Sequence, residues 1–244
     1  MIVGDQPTCF PGELLVRVSS RSDGMMLDRA NEAHHPSVVV NRKVFCDLQQ
    51  VNYKSVVYQQ VIYDNDQSFD RIVEVDESDT SQYVSGIHAD ALVTSRRGVG
   101  LMLCLADCIG TVVYDPVYKR LALAHLGRHS TVAGLMTKVI TWFIEQGSNP
   151  QDIIIWMAPS IKSASDRLEY FDYADDPIWK QYVDYRPDGI YIDMAGFNRA
   201  SAERAGVLPE NIFVSPIDTA THPEYFSHRH GDTRERFAVL AVIR

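Results

Sequence analysis

The sequence predicts an α+β fold, in which many strands are mixed irregularly with at least two helices. Residues 101–105, 111–114 and 237–243 are short apolar runs without helical period, as buried strands are. Residues 130–146 repeat their apolar side chains at helical spacing, and residues 193–205 lie between a helix start signal and a glycine stop. Because strands and helices do not alternate regularly, an α+β arrangement is favoured over repeated βαβ units.

The first part of the chain is predicted to consist mainly of strands. Residues 13–20 form the first strand, and the Val- and Tyr-rich residues 38–61, with partly alternating polar and apolar side chains, indicate one or two more. Residues 64–68 are expected to form a loop and residues 71–75 a short strand. The acidic and polar residues 76–86 are expected to be an exposed insertion.

Residues 98–127 form the central part of the predicted fold. Its strands, 101–105, 111–114 and 121–125, are separated in part by the turn signals Asp115-Pro116 and Lys119-Arg120. This arrangement places Cys108 and His125 near the ends of neighbouring strands, so that the thiol and the imidazole can meet in space.

The second half of the chain is predicted to mix helices and strands. Ser130 is the expected N-cap of the helix 130–146 and Gly147 its C-cap, while Asp193 caps the helix that Gly206 stops. The other predicted elements are a strand at 153–157, the start of a short helix at 177–184, a strand end or helix entry at 191–192, and strands at 212–215 and 237–243.

Composition narrows the class of protein. The 244 residues carry a net charge of −9, with 45% hydrophobic and 23% charged residues, as a globular domain does. The acidic charge argues against a nucleic-acid partner, and no apolar run approaches the length that spans a membrane. Four irregularly spaced cysteines do not form a disulfide framework, so we expect free thiols and a cytoplasmic location.

Cys108 and His125 are the leading candidates for chemistry, although a cysteine in an apolar stretch is most often part of the core. A thiolate beside an imidazolium is a nucleophile. The same pair, completed by a third ligand, binds zinc or copper. Cys104, four residues before Cys108, is interpreted as a core residue on the same face of the strand.

The other histidines have weaker signals. His88 and His129 read individually as surface or loop residues. The cluster His228-Arg229-His230 reads either as a solvated loop or as a contact for an anion or substrate, because a guanidinium binds phosphate and carboxylate bidentately.

Several motifs, taken in order along the chain, resemble one known family. These motifs are SSR at 19–21, ADALVT at 89–94, LADC at 105–108, AHLG at 124–127, DMAGFNRASAERAGVLPENIFVS at 193–215 and YFSHRHGDTRERFA at 225–238. They resemble the YfiH-type laccase-domain proteins, known as multicopper polyphenol oxidases and as broad-specificity purine nucleoside phosphorylases.

The resemblance implies one laccase-like domain over residues 1–244, with four layers in the order α/β/β/α. It implies phosphorolysis of purine nucleosides, with adenosine deamination as a second reaction, at a metal held by one Cys and two His. Cys108 and His125 correspond to two of these ligands, and the metal expected is zinc, with copper or no metal as alternatives. The implied small-molecule partners are a purine nucleoside and phosphate, and we assign contacts with them to Arg21, His228 and Arg229.

The chain departs from the family pattern within the site. Ile62 stands where the family has its first metal-binding histidine, which leaves His88 or His129 as the candidate third ligand. AHLGRHS replaces the family's AHAGWRG, and APSIKSASDRLEYF at 158–171 lacks the Gly and Cys residues of the corresponding segment. These departures keep open a non-catalytic binding protein, a metal-free Cys–His amidohydrolase or deamidase, and the older polyphenol oxidase assignment.

Overall fold

A computed structural model describes residues 1–63 and 67–244, so part of the predicted loop 64–68 lies outside the described residues. Within these ranges the chain forms fifteen strands and four α-helices. The strands are β1 (Leu14–Val18), β2 (Leu27–Asp28), β3 (Val56–Gln60), β4 (Ile72–Glu74), β5 (Ile87–His88), β6 (Ala91–Thr94), β7 (Gly100–Leu105), β8 (Ile109–Asp115), β9 (Arg120–Leu126), β10 (Ile154–Met157), β11 (Arg167–Leu168), β12 (Val183–Arg186), β13 (Gly189–Ile192), β14 (Ile212–Val214) and β15 (Glu235–Ile243). The helices are α1 (Pro36–Leu48), α2 (Arg128–Val132), α3 (Leu135–Glu145) and α4 (Met194–Arg204).

The first large sheet has the order β1-β15-β7-β3-β5, and the short β2 also pairs with β15. The C-terminal strand β15 lies between β1 and β7 and is antiparallel to both, with Val239 opposite both Val18 and Leu103. The predicted apolar terminal strand is therefore confirmed, and it is central because both of its edges are paired.

The second large sheet has the order β14-β10-β8-β9-β6-β4. Its centre is the antiparallel hairpin of β8 and β9, in which Gly110 lies opposite His125 and Asp115 opposite Arg120. The three strands predicted within residues 98–127 are confirmed as β7, β8 and β9, although β7 belongs to the other sheet.

The two large sheets pack face to face with helices on both outer surfaces. Along β7, Leu101, Leu103 and Leu105 join the core between the sheets, whereas Met102 and Cys104 join the core beneath α1. This alternation follows from the two-residue period of a strand. On the far side, α3 and α4 pack against the second sheet, which confirms the α+β class and the four-layer α/β/β/α arrangement.

A small third sheet of β11, β13 and β12 lies beside α4, where Ile190, Ile192 and Val183 extend the core of the second sheet. Among the described residues, no helix has the length and apolar character needed to cross a membrane.

The prediction of strands at the start of residues 38–61 is wrong, because residues 36–48 form α1. Val38, Arg42, Phe45 and Cys46 are buried at helical spacing beneath the first sheet, and Pro36 occupies the first turn, where its missing N–H costs nothing. Burial of this face outweighs the strand preference of three consecutive valines. The later part of the range does contain a strand, β3.

Two other helix predictions are also corrected. The predicted helix 130–146 is divided at Gly134, which adopts the left-handed conformation (φ 76°), into α2 and α3. Ser130 is not an N-cap of the long helix, because it lies inside α2. The predicted helix start at 177–184 is reduced to the 3-10 turn Lys180–Tyr182, followed directly by β12.

Candidate functional site

A cavity of about 770 Å³ lies where β7 and β9 end and β8 begins, and both large sheets contribute to its wall. Gln59 of β3 and Leu105 of β7 line it from the first sheet, and His125 of β9 lines it from the second. Its volume is that of pockets which enclose a small organic ligand.

Asp107 builds the turn between β7 and β8 that carries Cys108 into the cavity wall. Its backbone has a positive φ of 75°, which is costly for a residue with a Cβ atom. The Asp107 Oδ1 atom accepts a hydrogen bond from Thr219 Oγ1 at 2.8 Å, and Oδ2 accepts one from the Arg229 backbone N–H at 2.7 Å. The Ile161 N–H donates to the Asp107 carbonyl, so the strained turn is held from three separate segments.

His125 is fixed at the end of β9 by its own backbone. Its N–H donates to the Asp90 carbonyl at 2.8 Å, and its carbonyl accepts from Ser130 Oγ at 2.7 Å. The ring is buried, and its Nε2 lies 3.3 Å from the Tyr63 hydroxyl oxygen. The imidazole, the thiol of Cys108 and the phenol of Tyr63 therefore share one wall of the cavity.

Gly127 leaves the space that allows the thiol and the imidazole to lie close together. A Cβ atom at Gly127 would lie 3.1 Å from Cys108 Sγ and 3.2 Å from His125 Cε1. Both distances are shorter than an ordinary van der Waals contact between these atoms, so a side chain here would push the two groups apart.

Both members of the Cys–His pair are neutral at pH 7. Burial raises the pKa of the Cys108 thiol to about 11, and the nearby charges of Asp107 and Asp166 act in the same direction. Burial lowers the pKa of His125 to about 4. A thiolate–imidazolium pair, which a cysteine nucleophile requires, is therefore not the favoured state.

The other predicted site residues either line the cavity or hold its wall in place from outside. His88, His129, His228 and Arg229 all line the cavity. His129 stacks on Phe69, with ring centroids 4.6 Å apart, and burial together with the charge of Arg128 lowers its pKa.

Arg21 does not line the cavity, although the sequence places it among the candidate phosphate contacts. Its guanidinium pairs with Asp232 and donates to the Tyr225 carbonyl, while it lies 4.5 Å from the centre of the Phe226 ring. These contacts fix the chain on both sides of His228 and Arg229, so Arg21 supports the cavity wall from outside.

The side chains present do not fit the zinc site that the resemblance implies. Over residues 1–63 and 67–244, no three His, Cys, Asp or Glu side chains lie close enough together to hold a metal ion. Ile62 lines the cavity without offering a ligand, and His88 and His129 form no such group with Cys108 and His125. Two protein ligands are fewer than the three or four that hold zinc in proteins.

Sequence reasoning missed several cavity residues. Tyr63, Asp166 and Arg236 lie in loops or at a strand end, and they come from segments far apart in the sequence to line the same cavity as Cys108. For Asp166 one signal was present, because it lies in the segment 158–171, which lacks the Gly and Cys residues of the family pattern.

The chain is similar to proteins of one family over most of its length. A family model described as multi-copper polyphenol oxidoreductase laccase matches residues 19–244. The purine nucleoside phosphorylase YlmD of Bacillus subtilis is 28% identical over 207 residues, which cover 79% of this chain and 72% of that protein. The purine nucleoside phosphorylase LACC1 of Mus musculus is 35% identical over 150 residues, which cover 57% of this chain and 34% of the mouse protein.

Solved structures share the fold. Those of YfiH from Bacillus licheniformis and YlmD from Geobacillus stearothermophilus each match with a TM-score of 0.83. The first is 23% identical and covers 95% of this chain and 93% of its own, and the second is 21% identical and covers 98% and 94%.

Proposed function

The chain belongs to the multi-copper polyphenol oxidoreductase laccase family, and we propose from this premise that it is a purine nucleoside phosphorylase. The proposal assigns the reaction to the cavity beside Cys108 and His125. It takes a purine nucleoside and inorganic phosphate as substrates, as the names of the relatives suggest.

The observation that carries this proposal is the charge of the cavity wall. Four arginines line the cavity, together with only two carboxylates, Asp107 and Asp166, among the described residues. The arginines are Arg29, Arg128, Arg229 and Arg236. In a chain whose net charge is −9, such a concentration of guanidinium groups favours an anion, and guanidinium groups bind phosphate through paired hydrogen bonds.

Aromatic rings on the same wall suit the other substrate. Phe69 is stacked on His129, and the Tyr63 ring lies edge-on to His125 at a centroid distance of 6.1 Å. A flat purine packs well against such rings. The neutral imidazole of His125 and the thiol of Cys108 then serve as hydrogen-bonding groups for the ribose hydroxyls.

In the proposed reaction, a phosphate oxygen forms a bond to C1′ of the ribose while the bond between C1′ and N9 of the purine breaks. The electron pair of the broken bond goes to the purine, which takes up one proton. The products are ribose 1-phosphate and the free base. The arginines hold the attacking anion against C1′ and offset the charge that develops during transfer.

Two alternatives receive less support from the site. A metal-free amidohydrolase or deamidase would need a nucleophilic thiolate, and burial keeps Cys108 in its neutral form. A polyphenol oxidase would need several copper sites with Cys and His ligands, and the described residues provide no cluster of three such donors.

Zinc and adenosine deamination remain predictions from the resemblance. The donor set does not fit a three-ligand site, so none of the steps proposed above involves a metal ion. Elemental analysis of the purified protein, with Cys108→Ala as the control, tests the point. A two-ligand site is expected to retain much less than one zinc per chain, and one zinc per chain that Cys108→Ala abolishes would contradict the proposed metal-free reaction.

The direct test of function is phosphate-dependent release of base from inosine and adenosine, followed by chromatography of the base and of ribose 1-phosphate. Deamination would appear in the same assay as inosine formed from adenosine. We expect Arg128→Ala to raise the KM for phosphate at least about 10-fold, because one charged hydrogen bond contributes about 1.5–3 kcal/mol.

Arg186→Ala provides the matched control, because Arg186 lies on the small third sheet and outside the cavity. It should leave the kinetics unchanged. If neither nucleoside is cleaved at any phosphate concentration, the phosphorylase proposal is wrong and the chain is a binding member of its family.

The location proposed for the protein is the cytoplasm. Cys9, Cys46, Cys104 and Cys108 are all free thiols. A reducing compartment maintains cysteines in this form.

A further inference from the structure

Asp166 is a buried carboxylate in the wall of a cavity that otherwise attracts anions. It precedes β11, lines the cavity and is 5% exposed. A carboxylate in such a position opposes phosphate binding, because the two groups carry charge of the same sign. The residue therefore needs a role other than holding the anion.

The two oxygens of Asp166 have different surroundings. Oδ1 accepts a hydrogen bond from Arg229 Nη2 at 3.3 Å. Oδ2 is buried, and none of the described residues donates a hydrogen bond to it. Because an unpartnered carboxylate oxygen is costly to bury, protonation of the carboxyl group relieves the cost. The cavity then has a carboxylic acid, which can donate a proton, in its wall.

The same network that builds the Cys108 turn also holds the partner of Asp166. The Arg229 backbone N–H donates to Asp107 Oδ2, and Asp107 is tied to Thr219 through its other oxygen. Arg229 therefore reaches Asp166 from a fixed loop, and the carboxyl group is held next to the proposed reaction site.

The protonation of Asp166 is consistent with this geometry. Burial raises the pKa of the carboxyl to about 6, with Asp107 contributing in the same direction and with Arg229 and Arg128 opposing the shift. About one molecule in ten is then protonated at pH 7, and the proton is acidic enough to be transferred readily.

We propose that Asp166 is the general acid that protonates the departing purine, an inference that rests on the proposed phosphorylase function. When the bond between C1′ and N9 breaks, its electron pair enters the purine ring system. The proton of the Asp166 carboxyl group moves to N7 of the purine, the O–H bond breaks and the N7–H bond forms. Asp166 is left as a carboxylate, which Arg229 stabilises, and it regains a proton from water before the next cycle.

The chemistry of the leaving group provides the test. Inosine releases a base that needs a proton, whereas 7-methylinosine carries a cationic base that departs without one. Removal of a general acid should therefore slow cleavage of inosine and spare 7-methylinosine. For Asp166→Asn we expect the ratio of kcat/KM for 7-methylinosine to kcat/KM for inosine to rise about 100-fold above the ratio of the parent protein.

The ratio within one preparation does not depend on the fraction of folded protein, so partial misfolding cannot produce the effect. Asp166→Glu, which keeps the carboxyl group, should return the ratio to within about 10-fold of the parent value. Asp184→Asn, an exposed position on the third sheet, is the control and should leave the ratio unchanged.

The possible outcomes distinguish failure of the phosphorylase function from failure of the general-acid role of Asp166. If the parent protein cleaves neither nucleoside, the proposed function fails. If the parent cleaves inosine and Asp166→Asn loses both activities in equal proportion, the phosphorylase function stands and the general-acid role of Asp166 is overturned. Should Asp166→Asn not fold, Asp166→Glu decides, because a ratio changed by 100-fold despite its carboxyl group would also overturn the role.

Discussion

The two ends of β8 each carry an aspartate in a turn, but the two turns are stabilised differently. At the end of β8, the Asp115 Oδ1 atom accepts hydrogen bonds from the N–H groups of Val117 and Tyr118, two and three residues ahead. At its start, Asp107 accepts from Thr219 and Arg229, which are 112 and 122 residues away. The first turn is complete within the hairpin, whereas the second forms only when the rest of the chain has folded around it.

The difference separates a scaffold turn, which only joins two strands, from a site turn, which supports the cavity wall. The local turn closes β8 onto β9 and faces away from the cavity. The other turn holds a left-handed backbone at Asp107, and distant segments offset the cost of that conformation. In return, it fixes Cys108 in the cavity wall and positions the loop of Arg229.

The largest effect should follow when the distant hydrogen bonds are removed. Asp107→Ala leaves the Arg229 N–H and the Thr219 hydroxyl without their charged acceptor, so we expect the free energy of unfolding to fall by about 3 kcal/mol. Phosphorolysis should fall at least about 100-fold in the folded fraction, because the wall of the cavity loses its position. Urea unfolding and initial rates corrected for the folded fraction measure the two losses.

The matched variant is Asp115→Ala at the other end of the same strand. Its turn loses two hydrogen bonds made within the hairpin, next to the exposed residues Val117 and Tyr118, so we expect a loss of only about 1 kcal/mol and no change in kcat/KM. Equal losses of activity in the two variants would show that the division between scaffold turn and site turn is wrong.

Replacement of Asp166 is expected to change the free energy of unfolding by a smaller amount and in the opposite direction. Its pKa of about 6 in the folded state exceeds the value of about 3.9 in an unfolded chain, so the ionised carboxyl destabilises the fold above both values. The cost is absent below about pH 4, grows as the pH rises to 6, and stays constant above it. Asp166→Asn avoids this cost and should be more stable than the parent by about 2 kcal/mol at pH 7.

Urea unfolding at pH 4.5 and pH 7.5 tests this linkage, because the advantage of Asp166→Asn should shrink at the lower pH. A variant that is less stable than the parent at pH 7.5 would mean that the ion pair with Arg229 outweighs the burial of the carboxylate. The expected result, gained stability with lost cleavage of inosine, is typical of a group kept for chemistry.

The same contrast between local and distant contacts explains what could be read from the sequence. The hairpin of β8 and β9 and the start of α4 were predicted because their signals lie within a few residues. The Asp193 side chain, for example, accepts from the Gly196 N–H three positions ahead. The helix α1 was missed because Arg42, which is buried between α1 and the first sheet, interrupts the apolar spacing along the inner face of the helix.

The same contrast between local and distant contacts applies to the candidate site. Cys108 and His125 could be named because neighbouring strands of one hairpin bring them together. Tyr63 and Asp166 could not, because the hydroxyl of Tyr63 reaches His125 across 62 residues and Asp166 reaches Arg229 across 63. Charge and burial in the cavity wall depend on such distant neighbours, and a single sequence does not reveal them.

The smallest change in stability should come from filling the space between the two groups that the sequence did identify. In Gly127→Ala the new methyl group must displace Cys108 Sγ or the His125 ring by a few tenths of an ångström. The backbone conformation at Gly127 is allowed for alanine (φ −94°), so the loss of stability should stay below about 1 kcal/mol. Activity should nevertheless fall about 10-fold, because the ribose contacts proposed for both groups are displaced.

Gly12→Ala, where nothing lies within 4 Å of the added Cβ, is the control. Full activity in Gly127→Ala would remove Cys108 and His125 from the reaction and leave the arginines and Asp166 as its only participants.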